Sequence, residues 1–238
     1  MLKSSVTVAI LQPGYIPWLG FFDQVRRSDI FVYYDDVQYD KHGWRNRNRI
    51  KSPKGPQWLT VPVLHKGMNK PLINDILIDS RASWQRKHTG SLRQFYSDAA
   101  FKDDYLPEFE GILNQPWERL VDLDIAVIEW LCGRLGLKRP MVRSSNLGIP
   151  GEQSERLAAI CRYFGATRYF SGDAARNYID LQVFQSRNIA VKWQHYLHPV
   201  YRQLHGEFVP YLSVLDLLLN EGPESFNILS SQKLTESL

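Results

Sequence analysis

The chain has 238 residues, 44% hydrophobic and 13% aromatic, with a formal net charge of +4. That apolar content supports a substantial core and excludes a disordered chain. No apolar run reaches 18 residues, so no membrane-spanning helix is expected. Cys132 and Cys161 each sit in an apolar helical pattern and read as reduced core residues, with no disulfide or metal framework. The apolar part of MLKSSVTVAIL is too short for a signal peptide, which makes a cytoplasmic location the expectation. The ends, Met1 to Ser5 and Ser230 to Leu238, read as loose.

Val6 to Leu11 is a continuous apolar run, the pattern of a strand buried on both faces. Gln12-Pro13-Gly14 breaks it, Trp18 to Arg27 carries helical spacing, and Ile30 to Tyr34 reads as a second strand. Strand, turn, helix and strand within about 30 residues predict a right-handed parallel βαβ unit. Its ligand edge lies beyond the carboxyl ends of the strands. Gln12, Tyr15, Asp35 and Asp36 fall at that edge.

The stretch Asp35 to Lys54 holds six bases after its last acid, Asp40: Lys41, Arg45, Arg47, Arg49, Lys51 and Lys54. The basic surplus of the whole chain is concentrated there, which points to a local anionic partner. If the segment is extended, Arg45, Arg47 and Arg49 share one face at about 7 Å intervals. Guanidinium forks so spaced suit a diphosphate or a carboxylate. The competing reading is a solvated edge strand whose charges prevent aggregation.

Gln57 to Val63 and Pro71 to Ile78 read as two strands of a small β excursion. Ser83 to Tyr96 reads as a helix, aspartates with Pro107 and Pro116 break up the next stretch, and Leu120 to Leu135 is a long amphipathic helix. Pro150 to Phe164 follows as a helix closed by Gly165. Thr167 to Phe170 and Ile189 to Gln194 read as strands, and Leu212 to Leu219 as a helix before Gly222-Pro223 and a short last helix. The alternation predicts an α/β fold, a Rossmann-like parallel sheet with flanking helices. A single domain over 1–238 with a helical insertion at about 81–136 is expected.

The candidate chemistry is spread along the chain. Asp35 or Asp36 can accept a proton or pair with an arginine, though only one can face a site from a strand. His88, with Trp84 and Lys87 beside it on a helix, and His195, just past a strand, are candidate bases. Each is weighed against an ordinary packed or solvated histidine. Ser171-Gly172 can offer backbone N–H groups to an anion. Tyr15 and Trp44 follow turns and can pack on a base or sugar. The six histidines and two cysteines form no closed metal spacing, and neither a P-loop nor a GxGxxG fingerprint occurs.

Four stretches carry a family resemblance: AILQPGYIPWLGFFDQVRRSDIFVYYDDVQYDKHGWRNRNRI, WQRKH, ERLAAICRYFGATRYFSGDAARNYID and KWQHYLHPVYRQLHGEFVPYLSVLDLLLNEGP. Running from about residue 8 to 223, they resemble the WbqC-like family. The resemblance implies a role in bacterial polysaccharide and O-antigen gene clusters, as an enzyme attaching an amino-acid or acyl group to an amino sugar. It carries over no catalytic residue. The opening βαβ unit also resembles the nucleotidylyl-transferase group, whose helix start bears HxGH. Trp18-Leu19-Gly20-Phe21 keeps the glycine and lacks both histidines, so the likeness extends to fold and not to adenylyl transfer.

The leading expectation is an acyl or aminoacyl transferase acting on a nucleotide-linked amino sugar, with an unidentified donor and no cofactor assigned. Asp35, Asp36, His88 or His195 would act on the amine. Gln12, Tyr15, Trp44, Arg45, Arg47, Arg49, Lys87, Ser171 and Gly172 would bind substrate. The alternatives are a nucleic-acid module, such as a tRNA reader, and a non-catalytic partner subunit.

Overall fold

The computed structural model describes residues 5–231, so the expectation of loose ends falls largely outside the described residues. Its strands are β1 (Thr7–Leu11), β2 (Ile30–Tyr33), β3 (Arg47–Ser52), β4 (Gly55–Thr60), β5 (Val63–Leu64), β6 (Leu77–Ile78), β7 (Met141–Arg143), β8 (Arg168–Ser171) and β9 (Ala190–Trp193). Its helices are α1 (Leu19–Arg27), α2 (Trp84–Phe95), α3 (Lys102–Leu113), α4 (Leu120–Arg134), α5 (Gln153–Tyr163), α6 (Leu181–Gln185), α7 (Val214–Glu221) and α8 (Ser225–Ser230). The chain divides into two compact units. The first takes the residues up to Gln12, Gly20–Asp36 and Leu137–Tyr196; the second takes Pro13–Leu19, Val37–Gly136 and the residues from Leu197 on.

The first unit is built on a five-stranded sheet, ordered β7-β2-β1-β8-β9, with every neighbouring pair parallel. Numbered within the sheet, that is 3-2-1-4-5, the order of a doubly wound α/β sheet, whose direction of winding reverses between β1 and β8. The predicted βαβ unit is therefore present, and α/β with a parallel sheet and flanking helices describes the unit. The central strands are apolar because both their faces are covered. Val8, Ile10 and Val32 pack with Leu157, Ile160 and Cys161 of α5 and with Phe184 of α6. On the other face Phe31 meets Phe21 of α1 and Tyr33 edge-on. Cys132 and Cys161 are buried free thiols, each pushed up to about 12 by burial.

In the second unit the basic stretch is one arm of an antiparallel hairpin. β3 pairs with β4 in a register that sets Arg49 opposite Trp58 and Arg47 opposite Thr60. The expected strand Gln57 to Val63 overlaps β4 and reaches β5, while in Pro71 to Ile78 a 3-10 turn at Ile73–Asp75 leaves only the two-residue β6, paired to β5. A buried network ties the hairpin to α7. Lys51 donates its backbone N–H to the Tyr96 hydroxyl at 3.0 Å, and Tyr96 and Tyr201 donate to the Asp216 carboxylate at 2.6 and 2.8 Å. α3 runs through the stretch where a break was expected, with Pro107 inside it. Leu106, Phe109 and Leu113 bury themselves from that helix, and their packing outweighs the backbone bond that proline forfeits. Among the described residues no helix is long and apolar enough to cross a membrane.

Candidate functional site

At the carboxyl edge of the first unit's sheet, the paired acids are clamped. Asp35 is fully buried. It accepts from Arg143 Nε at 2.7 Å, the Ser145 hydroxyl at 2.8 Å and the Ser145 backbone N–H at 3.0 Å. Asp36 accepts from the Ser144 hydroxyl at 2.5 Å and pairs with Arg156, whose guanidinium lies over the Tyr34 ring. Ser144 has one hydroxyl proton, which goes to the nearer Asp36, and its oxygen accepts the Asp35 backbone N–H at 3.2 Å. Surrounded by arginine, hydroxyl and backbone N–H donors, the two carboxylates have little lone-pair capacity left for a substrate proton. This geometry locks the ends of β2 and β7 together.

Along the same edge, β8 runs into Ser171-Gly172 and β9 into Gln194 and His195. Gly172 lies against two amides: a Cβ there would sit 3.3 Å from Gln24 Nε2, which donates to Gln194 Oε1 at 3.0 Å. Gln194 Nε2 in turn donates to the Gly20 carbonyl and to Asp23. His195 faces Asp173 and Arg176. Its backbone N–H donates to Asp173 Oδ2 at 2.8 Å and its Nδ1 lies 3.1 Å from Asp173 Oδ1, while Arg176 Nη2 stands 2.7 Å from Nε2. Gln12 follows β1 at this edge and is half-buried.

In the second unit, the Tyr15 hydroxyl and His88 Nδ1 are 2.9 Å apart, and His88 Nε2 lies 3.2 Å from the Thr60 carbonyl. A carbonyl only accepts, so Nε2 carries the ring proton, and the tyrosine donates to Nδ1. Burial lowers His88 to about 4, so it is neutral at physiological pH, and burial also raises the Tyr15 hydroxyl well above its usual value. Lys87, its neighbour on α2, is exposed. The sequence grouped His88 with Trp84 and Lys87; the structure packs His88 against Trp84, joins it to Tyr15 and leaves Lys87 exposed.

The arginine row also separates. Arg45 lies before β3 and donates to the Pro13 carbonyl at 2.9 Å, with buried Asp124 of α4 as its electrostatic neighbour. Gly14 is required at this crossing, because a Cβ would stand 2.7 Å from the Trp44 carbonyl oxygen, and Tyr15 N–H donates to the Arg45 carbonyl. Arg47 and Arg49 share the outer face of the hairpin. Arg47 lies 4.7 Å over the Trp58 ring, and Arg49 lies over Trp44 at 5.4 Å and Trp58 at 5.8 Å. The two indoles are 5.0 Å apart and more than two-fifths exposed. The result is an accessible plate of two indoles edged by two guanidinium groups. Arg47 also donates to the carbonyls of His42 and Gly43, and Arg49 to that of Tyr211, which fixes both against the plate.

The WbqC-like protein family matches residues 12–228 of this sequence. The chain belongs to that family. A relative of this WbqC-like protein is the Uncharacterized protein Rv1507c of Mycobacterium tuberculosis, 40% identical over 220 residues, covering 92% of this chain and 95% of the relative. No solved structure matches.

Sequence reasoning passed over several residues of this WbqC-like chain that the structure brings forward. Arg143, Ser144 and Arg156 lie more than 100 residues from the acids they hold. Trp58 gives no signal until the hairpin register places it opposite Arg49. Asp173 stands directly after Ser171-Gly172, and its position at a strand end was available as a clue. Asp124 lies in an ordinary amphipathic helix, yet neither carboxylate oxygen has a hydrogen-bond partner, and burial raises it well above the usual carboxylate range. Among the described residues no group of three His, Cys, Asp or Glu side chains is placed to hold a metal. A surface groove of about 680 Å³ runs beside α5, past Arg162 and Tyr163, and contains none of the residues picked from sequence.

Proposed function

We propose that this WbqC-like protein is a cytoplasmic enzyme of bacterial surface-polysaccharide biosynthesis. It acts on a nucleotide-linked amino sugar and transfers an acyl or aminoacyl group to the sugar amine. The observation that carries this reading is the plate of Trp44 and Trp58 edged by Arg47 and Arg49. A nucleobase offers a flat π-face for an indole, and a diphosphate offers oxygens to planar guanidinium groups. One sugar nucleotide has both. Arg45, held on the Pro13 carbonyl, supports the loop behind the plate. The doubly wound strand order is in keeping with nucleotide chemistry, while Trp18-Leu19-Gly20-Phe21 offers no histidines for adenylyl transfer.

Calorimetry with a panel of uridine- and thymidine-diphosphate amino sugars tests the reading. Arg47→Ala with Arg49→Ala is expected to weaken binding about tenfold, or about 1.4 kcal/mol. Affinity unchanged by the double substitution sinks the assignment.

A second reading draws on the same plate. Exposed indoles flanked by arginines also stack the bases of single-stranded nucleic acid. Mobility-shift assays at moderate salt separate the two, because tight and salt-sensitive RNA binding favours the second.

A further inference from the structure

His195 has a backbone φ of 47°, a left-handed conformation uncommon outside glycine. Both oxygens of the Asp173 carboxylate hold it there, one through its backbone N–H and one through Nδ1. The third side of the cluster is Arg176. It points Nη2 at His195 Nε2, keeps Nε 3.2 Å from Asp173 Oδ1 and lays its guanidinium 4.8 Å over the Trp193 ring. Arginine only donates hydrogen bonds, so Nε2 bears a lone pair and Nδ1 carries the proton toward Asp173. That is the protonation state of a general base oriented by a carboxylate. The three side chains are close to half exposed, so the lone pair is covered by Arg176 and not by burial. The cluster stands at the carboxyl ends of β8 and β9, the edge where such sheets take ligands.

We propose that His195, oriented by Asp173, is a general base masked by Arg176, and that a phosphate-bearing ligand unmasks it by drawing the guanidinium off Nε2. A phosphate accepts two charge-assisted bonds from an arginine in one plane, against one bond to a neutral imidazole. The proposal takes from the function given above only the class of its nucleophile, an amine. In the step it assigns, the amine nitrogen attacks the carbonyl carbon of an activated acyl donor, R–CO–X, where X leaves as a thiolate or an oxyanion. The C–N bond forms as the nitrogen passes its proton to Nε2. The C–X bond then breaks, X departs with the electron pair, and the imidazolium returns the proton to it. Asp173 faces the imidazolium while it is charged, and His195 ends neutral.

Diethyl pyrocarbonate acylates bare imidazole nitrogen, and mass spectrometry of the full chain reads its rate at each histidine. Saturating inorganic pyrophosphate is expected to raise the His195 rate about tenfold. Arg176→Ala and Arg176→Gln are expected to show the raised rate without pyrophosphate, and two variants guard against a folding defect in one. A His195 rate that ignores pyrophosphate in the wild type, or ignores both substitutions, overturns the proposal. In a transfer assay His195→Gln should lower kcat about 100-fold with little change in KM, the scale of lost general-base catalysis; an unaltered kcat removes His195 as the base. Wild-type protein that labels as expected yet turns over no sugar nucleotide counts against the function proposed above and leaves the masked base standing.

Discussion

His88 and Asp124 are buried titratable side chains of the second unit, and they oppose each other in how stability follows pH. His88 is lowered to about 4 from an ordinary value of 6.5. Below pH 6.5 the unfolded chain binds the proton that the folded chain refuses, so the stability present above 6.5 is lost as pH falls toward 4. Between pH 7 and pH 5 the loss is expected to be about 2 kcal/mol, and His88→Gln should flatten it in urea titrations at the two pH values. Asp124 is raised by burial. Its contribution is fully present below the usual carboxylate range and is lost as pH rises through its folded value. Asp124→Asn keeps the shape without the charge, so its stability relative to the wild type should climb as pH rises from 4 to 8. A relative stability that falls over that range contradicts a neutral buried carboxyl. Tyr15 donates to His88 Nδ1, and Tyr15→Phe leaves that acceptor unpaired in the core, at an expected cost of about 1–3 kcal/mol.

The elements of this protein hold positions that their local sequence alone does not dictate. α3 contains Pro107, whose missing N–H would have reached the Asp103 carbonyl one turn back. The residue is exposed, so Pro107→Ala restores a backbone bond without disturbing the core. Thermal unfolding should show a gain of about 1–2 kcal/mol, reduced by the freedom the unfolded chain regains. The end of α7 has the opposite sensitivity. Gly222 takes φ 52°, and a Cβ there would lie 2.4 Å from the Phe101 ring. Gly222→Ala is expected to cost about 2 kcal/mol or more, since neither the left-handed backbone nor the ring contact can accept a methyl group.

For the molecule as a whole, the question is how a net charge of +4 is spent. Of the six bases between Lys41 and Lys54, Lys51 is buried with its Nζ on the Glu207 carbonyl, and Arg45 is turned onto Pro13. Arg47 and Arg49 remain on the accessible plate, and Lys41 and Lys54 are exposed outside β3. Two guanidinium groups on phosphates give single-stranded nucleic acid a slope of log K against log salt of only about −1.4. A measured slope several times steeper would mean a longer cationic track than this hairpin supplies, and would favour the nucleic-acid reading over the sugar nucleotide.

The sequence by itself determined the βαβ opening, most of the helices and the family, because apolar periodicity and contiguous motifs are local properties. It located the alternating arginines and the histidine after the last strand. Only the tertiary structure decided what those residues do. Hairpin register put Arg49 beside Trp58, and chain crossing took Arg45 out of the row. Arg143 and Arg156, 108 and 120 residues away, neutralised Asp35 and Asp36. The pairing of β8 with β9 carried Asp173 to His195. Charge and hydrogen bonding act over a few ångströms of space, and at those distances separation along the chain carries no information.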